Sequence, residues 1–168
     1  MNSSSRFVVA THILAGLHCI RQVSGIESVT SDFIADSVNT NPVVIRRLLG
    51  QLKKAGLVVS HAGSKGGFSL AKPTSQINLL DVYQATEEGA LFHFHYSEPN
   101  KDCPIGCTIQ ESLTGLCDEA ESAMKQVLAK RTIASLAKEM MANPVFREKA
   151  EAAIAAGKAP VTQLNLPN

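Results

Sequence analysis

Three of the four cysteines fall within one stretch, DCPIGCTIQESLTGLC, at Cys103, Cys107 and Cys117. Thiolates bind zinc and iron–sulfur clusters, and thiols of lowered pKa react with oxidants. The spacing C-x3-C-x9-C has to be tested against the backbone that carries it. Thr108-Ile109-Gln110-Glu111 has the T-x-x-E pattern of a capping box, which predicts a helix start near Thr108. Cys117 then lies nine residues into that helix, roughly 14 Å from its cap at about 1.5 Å per residue. Ligand sulfurs must converge at about 2.3 Å from one zinc ion. Cys117 is therefore expected not to share a centre with Cys103 and Cys107 within one chain, unless the helix starts only after Gly115. Its neighbours Leu113 and Leu116 make it a small hydrophobe, the same reading that Cys19 receives. Cys103 and Cys107 stay near the helix N-terminus, where the dipole lowers a thiol pKa. Three readings stay open for this pair: loop and cap residues, sensor thiols that can form a disulfide, or metal or cluster ligands. In the last, His93 and His95 would complete a Cys2His2 set. No metal ligand set is assigned and no cofactor is predicted; an iron–sulfur cluster or metal at the Cys103/Cys107 loop is the alternative.

A second kind of chemistry lies in the first half. Residues 1–72 hold eight basic and three acidic side chains, a net +5, whereas residues 73–168 hold eight basic and twelve acidic, a net −4. Such asymmetry on a chain of net charge +1 fits a nucleic-acid-binding module joined to a second module that does not bind it. The segment NTNPVVIRRLLGQLKKAG concentrates the charge. Asn41 is a good N-cap, Pro42 stands at the first helical position and Gly56 is a natural stop. Ile45, Leu48, Leu49 and Leu52 form one apolar stripe. Val43, Val44, Arg46, Arg47 and Lys53 fall largely off it, which leaves two arginines free to enter a groove.

The elements around this helix follow from periodicity. Phe7, Val8, Ala10, Ile13, Leu14 and Leu17 predict an amphipathic helix over residues 6–22. Thr30 or Ser31 caps a short second helix with Phe33, Ile34 and Val38 as its apolar face. LVVS and FSLA flank a glycine-rich centre and read as a β-hairpin. Three helices followed by a basic hairpin is the winged helix-turn-helix order, in which the third helix enters the major groove and the hairpin lies along phosphates. Beyond Pro73 come a short helix around QINLLDVYQATEE and a loop over residues 89–107. A long helix follows from Thr108 to about Lys130, with Ile109, Leu113, Leu116, Ala120, Ala123 and Val127 on one side. Thr132 caps another helix and Pro144 begins a last one. The long apolar side needs a cover; the first helix can supply part of it, and a two-fold copy of the same helix is the economical source of the rest.

Other classes are disfavoured. No run approaches the roughly 18–20 apolar residues of a membrane span. MNSSSRF lacks the pattern of a secretory signal, and four cysteines without a dense framework fit free thiols in a reducing cytoplasm. Gly63-Ser64-Lys65-Gly66-Gly67 is glycine-rich, but it sits in a hairpin with no helix after it, so it is no phosphate loop. No nucleophile–base arrangement supports an enzyme.

SRFVVATHILAGL, NPVVIRRLLGQLKKAGLV, AGSKGGFSLAKP, INLLDVYQATE and TIASLAKE occur in an order that resembles the Rrf-two family of bacterial winged-helix regulators over about residues 5–140. The resemblance implies a mainly α fold: a winged helix-turn-helix domain (residues 1–75), a short helix and sensor-type loop (76–107), and a dimerisation helix with C-terminal helices (108–156). Residues 157–168 are expected to be a disordered tail. It further implies a homodimeric, DNA-binding transcription regulator, usually a repressor, with double-stranded DNA as partner and no membrane. The family's recognition-helix start maps onto Asn41, Pro42, Val43, Val44, Arg46 and Arg47. Its wing maps onto Gly63, Lys65, Gly66 and Gly67, and its basic residue at the start of the first helix onto Arg6. Iron–sulfur members carry three cysteines with about five residues between neighbours, a spacing this chain does not have; LFHFHY…NKDCPIG resembles members that lack cluster ligands. The competing readings are an interaction adaptor that keeps the fold without operator binding, and a metal- or cluster-sensing regulator.

Overall fold

The computed structural model describes residues 3–63 and 66–156. Its order is α1 (Ser3–Ser24), α2 (Ser31–Val38), α3 (Pro42–Lys54), β1 (Val58–His61), β2 (Gly67–Leu70), a 3-10 turn (Thr74–Gln76), α4 (Leu79–Thr86), α5 (Ile109–Ala129), α6 (Ile133–Ala142) and α7 (Pro144–Ala155). The first helix begins three residues before its expected start. The tail from Gly157 lies outside the described residues, as does Lys65.

Local sequence sets each boundary of the three-helix unit. The Thr30 hydroxyl accepts the Phe33 N–H at 3.3 Å and caps α2. The helix stops at Asn39, which takes the left-handed conformation (φ 53°) open to a short polar side chain. Asn41 Oδ1 then accepts the Val43 N–H at 2.8 Å, with Pro42 in the first turn of α3, where its missing N–H costs nothing. Just beyond α3, Gly56 (φ +69°) turns the chain into β1.

The hairpin is antiparallel, with Val58 opposite Leu70 and Ser60 opposite Phe68. Val29 adds a rung, exchanging N–H···O bonds of 2.8 and 3.0 Å with Phe68. This contact requires a glycine beside it: a Cβ on Gly67 would stand 2.5 Å from the Val29 carbonyl oxygen. The base of the wing is thereby tied to the segment that leads into α2.

One apolar cluster runs from Ala10, Ile13 and Leu14 of α1 through Ile45, Leu49 and Leu52 of α3 to Ile77, Val82 and Ile133. Ser5–Ser24 reaches the length and hydropathy of a membrane span, which corrects the expectation that no run comes near it. Its Ala10, Ile13, Leu14 and Leu17 are nonetheless the centre of this cluster, at most 4% exposed.

The partners of α1 also differ from expectation. It packs on α6 and α4, while the main neighbour of α5 is α4. The cause is a return of the chain after α5. Ile133 N–H donates to the Ile77 carbonyl and Leu79 N–H to that of Arg131, at 2.9 and 2.8 Å. A capping box of Thr132 and Ser135 starts α6 at this point, and Ile133 and Ala137 are fully buried. No residue of α5 is buried.

Candidate nucleic-acid interface

The stripe Ile45, Leu48, Leu49 and Leu52 anchors α3 in the core and fixes which face turns outward. Val43 is 63% exposed, and Arg46 and Arg47 are exposed beside it. Val44 differs: it is half-buried and packs against the core, which leaves Val43 as the more exposed apolar group on the first turn. Arg46 Nη1 lies 3.3 Å from Asp32 Oδ1 of α2, with both side chains more than half exposed. A surface pair of this kind contributes little and yields readily to a stronger anion. Lys53 Nζ donates to Ser60 Oγ at 2.6 Å and joins the end of α3 to β1. At the wing, Gly63 takes φ +99°. A Cβ on Gly66 would stand 2.6 Å from the His61 carbonyl oxygen, so this position has no room for a side chain.

Arg6 has a partner that local pattern did not suggest. Its Nη2 donates to Glu87 Oε2 at 2.8 Å, and the Phe7 N–H donates to Glu87 Oε1 at 3.3 Å. The Glu87 side chain is 3% exposed. Arg6 also borders α3, lining a shallow cleft with Val44, Arg47, Leu48 and Gln51. The available signal was electrostatic: Glu87 is the C-cap of α4, where an acid meets the negative end of a helix dipole and needs a cation. Removing the guanidinium takes the counter-charge from a buried carboxylate. Arg6→Ala is expected to cost about 3 kcal/mol of folding stability, read as a lower midpoint in urea denaturation without DNA present.

The cysteine stretch is built differently from the capping-box expectation. Thr108 makes no side-chain cap; its hydroxyl donates to the Pro104 carbonyl at 2.9 Å. The reason is that the chain is already turning before α5. The N–H groups of Cys107, Thr108 and Ile109 reach the carbonyls of Cys103, Ile105 and Ile105, at 3.0, 3.2 and 2.9 Å, so the Thr108 N–H that Glu111 would accept in a capping box is already bonded. Helix α5 still begins at Ile109, and Cys117 lies within it, about 12 Å along. Cys117 is half-buried and lines a cleft with Phe92, His93, Phe94, His95 and Leu113. The two histidines thus face Cys117 rather than completing a set with Cys103 and Cys107. Among the described residues no three His, Cys, Asp or Glu side chains are grouped to hold a metal ion. The donor set of one chain does not fit an iron–sulfur cluster.

Cys103, Cys107 and Cys117 are free thiols, as is buried Cys19. The backbone N–H groups of Gly106 and Ile105 hold the Cys103 thiol below its usual range, because they stabilise a thiolate. Burial pushes Cys19 up to about 11. Cys107 donates its S–H to the Pro104 carbonyl at 3.3 Å. Gly106 makes the turn possible, since a Cβ there would overlap the Asn100 carbonyl. Near neutral pH, Cys103 carries the larger thiolate fraction. Iodoacetamide is expected to alkylate it at least about tenfold faster than Cys19, as followed by peptide mass spectrometry. Raising the pH towards 11 should narrow that ratio.

Comparison with known proteins places this geometry. The family model Rrf2, described as an iron-dependent transcriptional regulator, matches residues 3–139. YwnA of Bacillus subtilis (strain 168), described as a candidate HTH-type transcriptional regulator, is 40% identical over 130 residues, 77% of this chain and 92% of its own. The HTH-type transcriptional regulator NsrR of Oceanobacillus iheyensis is 27% identical over 128 residues, 75% of this chain and 81% of its own. A crystal structure described as a candidate DNA-binding protein has 38% identity and a TM-score of 0.61, covering 78% of this chain and 97% of that one. CymR of B. subtilis shares the fold at 20% identity and a TM-score of 0.61, covering 83% of this chain and 98% of that one. With an exposed arginine pair on a capped third helix, a hairpin wing and a family match over most of its length, the chain belongs to the Rrf2 family of winged-helix, DNA-binding transcriptional regulators.

Proposed function

We propose that the chain works as a homodimer that reads a palindromic operator and represses transcription there. The observation that carries the reading is α5. Its 21 residues contain no buried position, yet Leu116 and Val127 are 62% and 63% exposed on one side of it. The preceding loop adds Phe92, Phe94, Tyr96 and Ile105, also exposed. An apolar surface of this extent on a single chain marks an interaction site, and a second α5 is the simplest complement.

Two copies of α3 would then enter successive major grooves, with half-site centres about 34 Å apart. In this reading Val43, Arg46 and Arg47 meet base edges. Asn41, Val44, Gly63, Lys65, Gly66, Gly67 and Arg6 fix the backbone around them or contact phosphate. The lowered Cys103 thiol supports a second layer, control by thiol oxidation through Cys103 and Cys107.

Binding to the DNA upstream of the protein's own gene tests the reading. Footprinting is expected to protect two symmetric half-sites about one helical turn apart. Affinity should fall steeply between low and physiological salt, as counterions are released from contacted phosphates. Protection of one asymmetric half-site by a monomer would sink the dimer reading, and salt-insensitive or absent binding would favour an adaptor.

A further inference from the structure

A cleft of about 410 Å³ opens between α1, α2, α6 and α7, with no residue of α3 in its lining. Its walls are Cys19, Ile20, Phe33, Met140 and Phe146, and its floor is Gly16. We propose that this cleft binds a small amphiphile with an apolar body and an anionic head, the body lying over Gly16 and the head meeting Lys149. Four observations carry this.

The volume falls in the range of small-molecule sites, which are concave, mostly apolar and edged by a few polar groups. The polar groups here are His12, Ser37 and Lys149. His12 Nε2 stands 3.3 Å from Ser37 Oγ, and burial holds the imidazole below its usual value, which keeps it neutral near pH 7. Lys149 is exposed at the rim and has no ion pair among the described residues. It is the cation of the site, and it sets the sign of the head group.

Gly16 is the most telling residue. It stands inside the long helix α1, where glycine weakens a helix relative to alanine. Its backbone is not among the positive-φ positions, and a Cβ added to it would meet nothing within 4 Å. Neither conformation nor crowding therefore asks for glycine. What the missing side chain does is deepen the cleft, leaving room for a bound molecule against the α1 backbone.

The test uses the full chain with decanoate as probe, 1-decanol as its neutral counterpart, and displacement of anilinonaphthalene sulfonate fluorescence as readout. Wild type is expected to bind decanoate in preference to decanol. Gly16→Leu places a side chain in the open floor and replaces glycine by a better helix former, so it should melt no lower than wild type. It should weaken decanoate binding about tenfold or more, the scale of a pocket contact. Lys149→Gln should bring decanoate and decanol to near parity while leaving decanol unchanged. Undiminished decanoate binding in a folded Gly16→Leu overturns the proposal, as does equal preference for the two probes in wild type. So does a change of mass in light scattering with Gly16→Leu while probe binding persists, which would assign the cleft to a second copy of the chain. None of these readouts involves DNA, so the outcome is independent of the operator reading.

Discussion

Replacing Arg46 and Arg47 together by alanine is expected to weaken operator binding about a thousandfold at physiological salt, with the fold and the oligomeric state unchanged. The magnitude comes from two contacts. An arginine that reaches guanine in bidentate fashion is worth about 1–3 kcal/mol, and about 4 kcal/mol for the pair corresponds to roughly a thousandfold. The fold should survive because neither residue belongs to the stripe that holds α3. Arg46 has a surface partner in Asp32, and an exposed pair contributes little to stability. Fluorescence anisotropy with each single variant separates the roles. A residue that reads a base relaxes sequence preference when removed. One that contacts phosphate weakens all sequences alike and lowers the salt slope by about one. Unchanged affinity for both single variants would mean that α3 is not the reading helix.

The second large effect concerns α5. Leu116→Glu combined with Val127→Glu is expected to convert the proposed dimer to monomer and to reduce operator affinity by at least about a hundredfold. The two positions are eleven residues apart, three turns of helix, so both charges fall on the same side, about 16 Å from one another. In a two-fold arrangement each carboxylate would be buried opposite apolar surface or a like charge, and an unpaired buried charge costs several kcal/mol. The separate chain should remain folded, because both residues are mostly exposed in it already. The affinity loss follows from geometry: a monomer engages one half-site and forfeits the local concentration that links the second. Analytical ultracentrifugation decides the first part and anisotropy the second. A variant that stays dimeric would move the interface off this face of α5.

Much of this was legible because the signals are local. Asn41-Pro42 and Gly56 bracket α3 through capping and backbone freedom, both of which act within a few residues. The stripe at Ile45, Leu48, Leu49 and Leu52 determined the outward direction of Arg46 and Arg47. The errors share a physical cause in non-local context. Thr108-x-x-Glu111 is a capping box only if the Thr108 hydroxyl and N–H are both available, and the turns from Cys103 onward had already engaged them with the Pro104 and Ile105 carbonyls. The Arg6–Glu87 pair joins residues 81 apart in sequence, beyond any periodic pattern. Val44 lies off the stripe by helical period, yet a core that wraps around the start of α3 half-buries it. The first helix was expected to cover part of α5 because both are apolar; the return at Ile133 gives that surface to α6 and α4 instead.

That return has a consequence for the order of events during synthesis. The cluster that holds Ile77 and Val82 lacks Ile133 until the chain has passed α5, so the three-helix half stays unfinished while the ribosome makes all of α5. The three-helix unit and α5 therefore mature together, and a nascent chain that ends before Ile133 is too short to close its own core.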